Sequence, residues 1–346
     1  MLDDANVLLQ RDPSGALKVA SMQFEQAVFK ADIRNGDNDG RSITGVVVAG
    51  MGGSALAALL VKSWLKLELS VPIEVVRSYD LPAYVDQNTL VIASSYSGNT
   101  EETLSCFEQA NTKGAQVAII ASGGHLIDRA NLNQITHALL PTGMQPRMAL
   151  IDDLCVLVEI LANFGIVTSD KLDEIAGNLD RLKSETAKWA SDVPTDQNYA
   201  KQLAQQAVGK TAVFYGGTLA APVAYKWKIS WNENAKNVAF WNELPEFNHN
   251  EFIGWTSHPV EKPFAVFDLV SSFEHPQILK RFEISDRLLS GQRPKSIVIN
   301  LAGKSPIEQL LWGSILADFV SIYLAILNGV NPMPVALIEK FKQELI

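Results

Sequence analysis

Two side chains that could share an acid–base reaction stand near each other in the sequence. Glu233 and His249 are sixteen positions apart in residues 231–254, WNENAKNVAFWNELPEFNHNEFIG, which are otherwise rich in asparagine and carboxylates. A carboxylate and an imidazole can act as base and acid near neutral pH when their surroundings adjust their pKa values. Solvated turns have a similar composition. We therefore interpret the segment as a polar loop that is either catalytic or merely exposed.

A second polar segment, SSYSGNTEET at 94–103, follows a buried apolar strand and opens an amphipathic helix. Free backbone N–H groups and the positive end of the dipole favour phosphate at a helix start. Ser95, Ser97 and Thr100 would add hydroxyl donors without adding charge. Helix capping is the structural alternative, but one hydroxyl would suffice for a cap. The segment therefore predicts a phosphate-binding loop.

The turn GMGGS at 50–54 is another junction between a strand and a helix. Gly52, Gly53 and Ser54 would let the backbone approach a ligand at the carboxyl edge of a sheet. The turn lacks both the GxGxxG spacing and the GK[ST] ending, so neither a dinucleotide fold nor a P-loop is predicted. Taken alone, it could equally be a tight turn with a serine cap. No nucleotide cofactor is expected.

Apolar strands alternate with amphipathic helices along the chain, which predicts an α/β fold of two doubly wound parallel sheets with helices on both faces. A charged helical stretch ending in Val193-Pro194-Thr195 suggests a boundary, and the pattern then restarts as a sparser copy. The predicted domains are 1–165, a helical linker 166–200, and 201–346. The predicted strands lie near 44–49, 73–77, 89–94, 116–121, 136–140, 212–215, 265–269 and 296–301. The predicted helices lie at 55–65, 101–112, 148–164 and 306–327.

The composition restricts the function classes. The 346 residues are 47% hydrophobic and 19% charged with a net charge of -9, which is typical of a globular protein and argues against nucleic acid as a partner. The apolar runs are expected to fall short of the roughly 20 residues of a membrane span. The start of the chain lacks a secretion signal, so a cytoplasmic location is expected.

The cysteines and the other histidines do not indicate a further reaction centre. Cys106 and Cys155 lie in apolar helical patterns and are predicted to be buried thiols. The remaining histidines show no spacing typical of a metal site, and no metal is expected. These histidines are His125, His137, His258 and His275.

Taken together, the motifs are more specific than any of them alone. In chain order they are GMGGS, RSYDLP, SYSGNT, PRMAL, NENAK, LPEFNHNE and the C-terminal GVNPMPVALIEKFKQEL. This series resembles the bifunctional phosphoglucose/phosphomannose isomerase family, whose two halves are sugar isomerase (SIS) domains. The resemblance implies a homodimeric enzyme that acts in glycolysis and gluconeogenesis. It would interconvert glucose 6-phosphate, and mannose 6-phosphate as well, with fructose 6-phosphate through an enediol.

The resemblance also implies roles for individual residues. Glu233 would move a proton between sugar carbons 1 and 2, and His249, reaching the site from the partner subunit, would open the sugar ring. Arg147 would stabilise the enediolate. Lys342 would assist ring opening, with Lys340 as an alternative for this position.

Each of these residues has a structural alternative. Glu233 could pair with Lys236 at i+3, a surface effect of about 0.2–0.5 kcal/mol. His249 could be a solvated histidine, Arg147 could bond nearby carbonyls, and Lys342 could be an exposed lysine of the tail.

Two other functions compete with this isomerase. A non-catalytic, sugar-phosphate-binding regulatory SIS protein would need the phosphate loop but not Glu233 together with His249, and the sequence has no helix-turn-helix or basic arm. An aminosugar-phosphate isomerase would normally carry a glutamine-hydrolysing domain, and no cysteine nucleophile follows Met1. The sequence leaves open whether mannose 6-phosphate is used.

Overall fold

The computed structural model describes residues 1–37, 39–257 and 261–345. Packing divides the chain into two compact units. Unit 1 comprises Met1–Met22 and Arg181–Ile346, and unit 2 comprises Gln23–Asp180. His258, one of the histidines considered above, lies outside the described residues.

Each unit contains one sheet of mainly parallel strands, as predicted. The strands are β1 (Ile33–Arg34), β2 (Gly45–Ala49), β3 (Ile73–Val76), β4 (Thr89–Ser94), β5 (Gln116–Ala121), β6 (Thr136–Leu139), β7 (Thr211–Gly216), β8 (Ala239–Glu243), β9 (Phe264–Val270) and β10 (Ile297–Asn300).

Helices connect the strands and cover the sheets. The α-helices are α1 (Ala5–Arg11), α2 (Ala16–Met22), α3 (Gly53–Trp64), α4 (Glu101–Thr112), α5 (Gly124–Asn133), α6 (Leu150–Asn163), α7 (Asp170–Ala176), α8 (Leu179–Lys188), α9 (Tyr199–Ala207), α10 (Ala221–Ala235), α11 (Glu251–Gly254), α12 (Pro276–Leu288), α13 (Pro306–Asn328) and α14 (Ala336–Glu344). Short 3₁₀ helices span Gln23–Val28, Pro146–Met148 and Glu246–His249.

In unit 2 the strand order is β1-β6-β5-β4-β2-β3, with only β1 antiparallel to its neighbour. The residues of β2 and β4 are buried throughout, because helices cover both faces of the sheet. From β2 the chain proceeds to β3 on one side, and from β4 it proceeds to β5 on the other. The carboxyl ends of β2 and β4 therefore form the topological switch point, where open α/β sheets bind ligands.

The thiols of unit 2 are structural, as predicted. Cys106 and Cys155 are free and buried. Burial raises the pKa of Cys106 to about 11 and that of Cys155 to about 12, so neither carries the thiolate that nucleophilic chemistry needs.

In unit 1 the strand order is β10-β9-β7-β8, all parallel, so that β7 and β9 flank the second switch point. Helix α13 is the core of this unit, and α9 and α10 pack against it. The other face of the sheet is covered by an apolar cluster that includes Phe247, Trp255 and Phe282. The two faces are thus buried by different means, a long core helix on one side and α12 with the segment around Phe247 on the other.

The expectation that no segment is long and apolar enough to cross a membrane is wrong for α13. Its 23 residues meet that criterion by length and composition. In the structure 94% of its apolar window is buried inside the protein, which is also what the core helix of a globular unit shows. Length and hydropathy alone do not separate these two cases.

The domain boundaries differ from the predicted 1–165, 166–200 and 201–346. Residues 1–22 belong to unit 1 because their polar groups bond to its helices. The Lys201 Nζ atom lies 2.9 Å from Asp3 Oδ1, and the Arg11 guanidinium donates to the Ile326 carbonyl over 2.6 Å. Such long-range contacts leave no pattern in the local sequence.

The segment interpreted as a linker is divided between the two units. The border at Asp180 falls inside α8. Beyond it, the Trp312 indole donates to Glu185 over 2.9 Å, and the Trp189 ring packs edge-on against Trp312 at 5.4 Å. The end of α8 and the turn after it are therefore attached to α13, which explains why this charged stretch is not a free connection.

A buried polar ladder joins α10 to α13 and fixes how the two helices face each other. The Lys226 ammonium lies 2.6 Å from Asp318 Oδ1, which also accepts from Ser230 over 2.8 Å. One turn further, Asn234 donates to the Ser321 hydroxyl over 2.9 Å. Any other rotation of α10 would leave these buried groups unpaired, so the ladder selects one orientation of the helix.

Candidate active site

In unit 2 the two predicted ligand turns lie side by side at the switch point. Helices α3 and α4 begin after the neighbouring strands β2 and β4, whose ends are in register at Ala49 and Ala93. The Tyr96 amide donates to the Ser54 hydroxyl over 3.0 Å, which joins the SYSGNT segment to the GMGGS turn. Two helix N-termini thus point toward one crevice. At α3 the Ser54 and Ala55 amides donate to the Met51 and Gly52 carbonyls over 3.1 and 3.3 Å, so the anion site is expected at the start of α4.

The hydroxyls of the SYSGNT segment do not act as simple caps. Thr100 occupies the N-cap position of α4 but makes no side-chain capping bond. Its hydroxyl lies 2.8 Å from that of the buried Ser95, whereas the exposed Ser97 accepts from the Asn99 amide over 3.2 Å. Among the described residues the amides of the first turn of α4 have no backbone acceptor, as a phosphate cradle requires.

The turn between β5 and α5 supports this cradle, although the sequence analysis did not single it out. The Ser122 backbone and hydroxyl groups donate to the Tyr96 carbonyl over 2.9 and 2.6 Å. The His125 amide donates to Asn99 Oδ1 over 3.0 Å. Gly98 has φ +69°, and a Cβ there would lie 1.8 Å from the Gly123 carbonyl oxygen. The Ser-Gly-Gly sequence that follows β5 is the feature of the sequence that could have identified this turn.

Arg147 is buried against the start of α3. Its side chain is 1% exposed, and Nη1 donates to Gln145 Oε1 over 3.1 Å. Gly53 permits this close approach, because a Cβ there would lie 3.0 Å from the Pro146 carbonyl oxygen and 3.1 Å from the Arg147 amide. The structure therefore brings Arg147 to the GMGGS turn, with Gly52, Gly53 and Ser54 at the same helix start.

Two neighbouring carboxyl groups that the sequence analysis did not consider are buried in the first turn of α6. Burial raises the pKa of Asp152 to about 7 and that of Asp153 well above its ordinary value, the latter further raised by Asp152. Asp152 Oδ2 and Asp153 Oδ1 have no hydrogen-bond partner among the described residues. Their suppressed ionisation limits the negative charge in the unit that holds the predicted phosphate loop.

In unit 1, Glu233 lies on the last turn of α10, not in a loop. Residues 231–254 comprise the end of this helix, β8, a 3₁₀ turn and α11, so the interpretation of the segment as one polar loop is wrong. Lys236 ends the helix in a left-handed conformation, and its ammonium donates to the Glu233 backbone oxygen over 2.6 Å and to the Pro332 carbonyl over 3.0 Å. Glu233 is half-buried on a rigid element.

His249 is the exposed last residue of the 3₁₀ helix Glu246–His249. Its preceding neighbour is tied to α12, since Asn248 donates to the Ser285 hydroxyl over 2.9 Å and accepts from Arg281 over 3.2 Å. Glu233 and His249 thus belong to the same unit but to different elements.

Lys342 lies on α14, which buries none of its residues. Lys340, the alternative, is also exposed and lies 3.7 Å from Glu344 as an ion pair. The described contacts do not distinguish the two lysines, and the assignment of Lys342 stays a prediction.

The helix start after β7 in unit 1, the counterpart of the α3 start in unit 2, is filled by the chain itself. The buried Glu274 carboxylate accepts from the Leu219 and Ala220 amides over 3.0 and 2.9 Å, and from the Thr218 hydroxyl over 3.3 Å. A Cβ on Gly217 would lie 2.3 Å from this carboxyl group. An internal carboxylate thus stands where an anion would bind at the α10 start, so this helix start is not a candidate for substrate phosphate.

Known proteins match both units. Residues 43–151 match the SIS domain family, and residues 196–345 match the family described as the bacterial phospho-glucose isomerase C-terminal SIS domain. The chain is 35% identical over 303 residues to the bifunctional phosphoglucose/phosphomannose isomerase of Aquifex aeolicus, covering 87% of this chain and 90% of that protein. The chain belongs to the bifunctional phosphoglucose/phosphomannose isomerase family. The protein of the same description from Caldicellulosiruptor bescii is 35% identical over 305 residues, covering 87% of this chain and 89% of that protein.

A solved structure with the same fold is the C-terminal domain of glucosamine-fructose-6-phosphate aminotransferase from Francisella tularensis. It has a TM-score of 0.68 and 16% sequence identity, and the match covers 92% of this chain and 98% of that one. At this identity it supports the fold alone. The predicted α/β class and the classification as an isomerase are confirmed, whereas the roles of individual site residues in this isomerase stay predictions.

The cradle predicts a selective effect of one added methyl group. We expect Gly98→Ala to displace the turn at Gly123, disturb the charge-assisted bonds to phosphate, and raise the KM for fructose 6-phosphate by about 10- to 100-fold. Gly114→Ala is the matched control, because Gly114 has φ +68° but nothing within 4 Å of a Cβ. It should cost about 1 kcal/mol of stability and leave KM unchanged. Equal KM values for the two variants would contradict the cradle.

Asp152 predicts a dependence of stability on pH. Its folded-state pKa of about 7 exceeds the ordinary value of 3.8, so the folded protein holds this proton more tightly. The contribution of the Asp152 proton to the free energy of unfolding is therefore full below pH 3.8. It decreases as the pH rises to about 7 and does not change further above that pH. Between pH 3.8 and about 7 the wild-type protein loses this stability and Asp152→Asn does not. We therefore expect the free energy of unfolding of Asp152→Asn to rise relative to wild type by on the order of 4 kcal/mol across this range. Urea unfolding at several pH values measures it. Asp128→Asn, at an exposed position of α5, is the control for the substitution itself.

Proposed function

We propose that this isomerase interconverts glucose 6-phosphate with fructose 6-phosphate, and mannose 6-phosphate with fructose 6-phosphate, through an enediol. The observation that carries the proposal is the preformed anion cradle at α4, with the buried Arg147 at the neighbouring helix start of the same unit. Relatives at 35% identity are named for these two activities. The reaction would be a step of glycolysis and gluconeogenesis.

The proposed chemistry is proton transfer between adjacent carbons. With the sugar open, the Glu233 carboxylate takes the proton from carbon 2 of the aldose and the electrons pass to the carbon 1 oxygen, giving an enediolate. A proton then moves from the carbon 2 oxygen to the carbon 1 oxygen, and Glu233 returns its proton to carbon 1 as the carbon 2 carbonyl of the ketose forms. Arg147 offers a fixed positive charge for the oxyanion that develops, and phosphate held in the cradle orients the reacting carbons. A glutamate on the last turn of a helix held by a buried ladder suits a base that must serve two carbons without moving far.

Ring opening is assigned to His249, with Lys342 assisting. Breaking the bond between the anomeric carbon and the ring oxygen requires a proton for that oxygen and removal of the anomeric hydroxyl proton, which an imidazole can manage near pH 7. The exposure of His249 supports its action on a second copy of the chain, in a homodimer. We further propose a cytoplasmic location, no membrane association and no nucleic-acid partner, in keeping with the net charge of -9.

Substitution of the base tests the reaction. We expect Glu233→Gln to lower kcat by about 10²- to 10⁴-fold in both directions, because general-base catalysis is lost, while KM changes little. The assay is conversion of fructose 6-phosphate to glucose 6-phosphate and, separately, to mannose 6-phosphate. Glu283→Gln, on the exposed side of α12, is the control and should retain wild-type activity. A wild-type protein that binds but does not convert these sugars would support a regulatory SIS protein instead.

Mixed dimers test the origin of His249. We expect Glu233→Gln and His249→Gln chains to be nearly inactive alone. After co-refolding in equal amounts, roughly a quarter of wild-type activity should return, because random pairing makes half of the dimers mixed and each mixed dimer carries one intact site. If His249 instead serves the Glu233 of its own chain, mixing restores nothing.

A further inference from the structure

We propose that Glu251 is a positioning residue that holds His249 in the orientation needed for ring opening. The proposal rests on the role of His249 given above. It assigns a role to the last residue of the LPEFNHNE motif, two positions after the histidine.

Both carboxylate oxygens of Glu251 are occupied by neighbouring strands. Tyr215, on β7, donates its phenol proton to Oε1 in a short hydrogen bond, and Asn242, on β8, donates to Oε2 over 2.8 Å. Tyr215 and Asn242 are directly paired across the two strands. The Glu251 side chain therefore fixes the start of α11 to two adjacent strands. A tilt of α11 toward β7 would break the bond to β8, and a tilt toward β8 would break the bond to β7.

Tyr215 is itself immobilised. Its side chain is 1% exposed, and its oxygen accepts from the Trp255 indole over 3.0 Å. The Arg293 guanidinium lies 5.8 Å from the centre of the Tyr215 ring and 6.0 Å from that of Trp255. Burial, followed by the charge of Glu251, raises the pKa of the Tyr215 phenol above its ordinary value, so the phenol remains a donor to the carboxylate at all ordinary pH values.

His249 needs such support because its own side chain is exposed. Within the described part of the chain its imidazole makes no hydrogen bond, so its position depends on the backbone on either side. Asn248 is tied to α12 on one side, through Ser285 and Arg281. Glu251 supplies the attachment to the sheet on the other side. Loss of either anchor would let the imidazole move by an ångström or more, and a displacement of that size can cost about 10²-fold in rate.

The chemistry of the substrate separates positioning of His249 from a general structural role. Fructose 6-phosphate closes its ring through the oxygen on carbon 5. 5-Deoxyfructose 6-phosphate lacks that oxygen, and its carbon 6 oxygen carries the phosphate, so it stays open and needs proton transfer alone. A defect confined to ring opening therefore affects the first substrate and spares the second.

The experiment compares the two ketoses with wild type and six variants, following formation of the aldose by NMR. We expect Glu251→Gln and Tyr215→Phe to lower kcat for fructose 6-phosphate by about 10- to 100-fold with KM unchanged, and to convert the open ketose at near the wild-type rate. His249→Gln should show the same pattern with a larger loss. Glu233→Gln should be slow with both ketoses. The double substitution Tyr215→Phe/Glu251→Gln should be no slower than the slower single variant, because both remove one interaction.

Tyr84→Phe is the matched control, since Tyr84 also donates a short hydrogen bond to a glutamate, Glu74, but lies in unit 2. It should leave both rates unchanged. Urea unfolding confirms that each variant is folded. Wild-type turnover of fructose 6-phosphate by Glu251→Gln, or an equal loss with both ketoses, would overturn the positioning role. If His249→Gln is not rescued by the open ketose either, the ring-opening assignment fails instead.

Discussion

The free amide groups at helix starts are the constraint on which this structure depends. At a switch point of a parallel sheet, helix N-termini present backbone donors that have no acceptors within the helix, and these groups attract an anion. In unit 2 the donors at α4 lie beside a turn in which Gly98 is required, because a Cβ there would lie 1.8 Å from the Gly123 carbonyl oxygen. In unit 1 the donors at α10 are satisfied by the chain's own Glu274. Helix starts at the two switch points thus differ: the start of α4 in unit 2 is the candidate anion site, and the start of α10 in unit 1 is closed by an internal carboxylate.

Buried polar groups fix the backbone beside the two predicted acid–base residues, Glu233 and His249. The ladder from Lys226 and Asp318 to Asn234 stabilises one packing of α10 against α13, because every alternative packing leaves a buried polar group unpaired at a cost in free energy. Glu233 precedes Asn234 and so inherits a fixed direction. Glu251 has a comparable effect on the segment of His249. In both cases a residue with a predicted acid–base role is held in place by the hydrogen bonds of a nearby residue, as preorganised sites require.

Much of the fold could be predicted because the local pattern agrees with the structure. The apolar strands β2, β4 and β5 and the helix α4 lie where the sequence analysis expected them. The strand β8 was missed because only one of its five residues is buried, so that its sequence resembles a polar turn. The helix α5 was also missed, since its glycine start and sparse apolar residues give a weak period. The attachment of residues 1–22 to unit 1 depends on contacts nearly two hundred or more positions away, such as Asp3 with Lys201.

By itself, the sequence determined the α/β class and the two SIS-like halves, and it singled out the predicted phosphate-binding segment and Glu233 and His249 as candidate acid–base groups. These features reside in residue type and short spacing, which local sterics and helix geometry translate directly into structure. Only the tertiary structure decided that Glu233 ends a rigid helix, that Arg147 is buried against Gly53, and that Glu274 fills the second helix start. It also decided that Glu251 anchors the segment of His249 to two strands. Each of these depends on groups far apart in the chain that pair because burial makes an unpaired polar group costly, and spacing along the sequence does not encode which distant partner will be chosen.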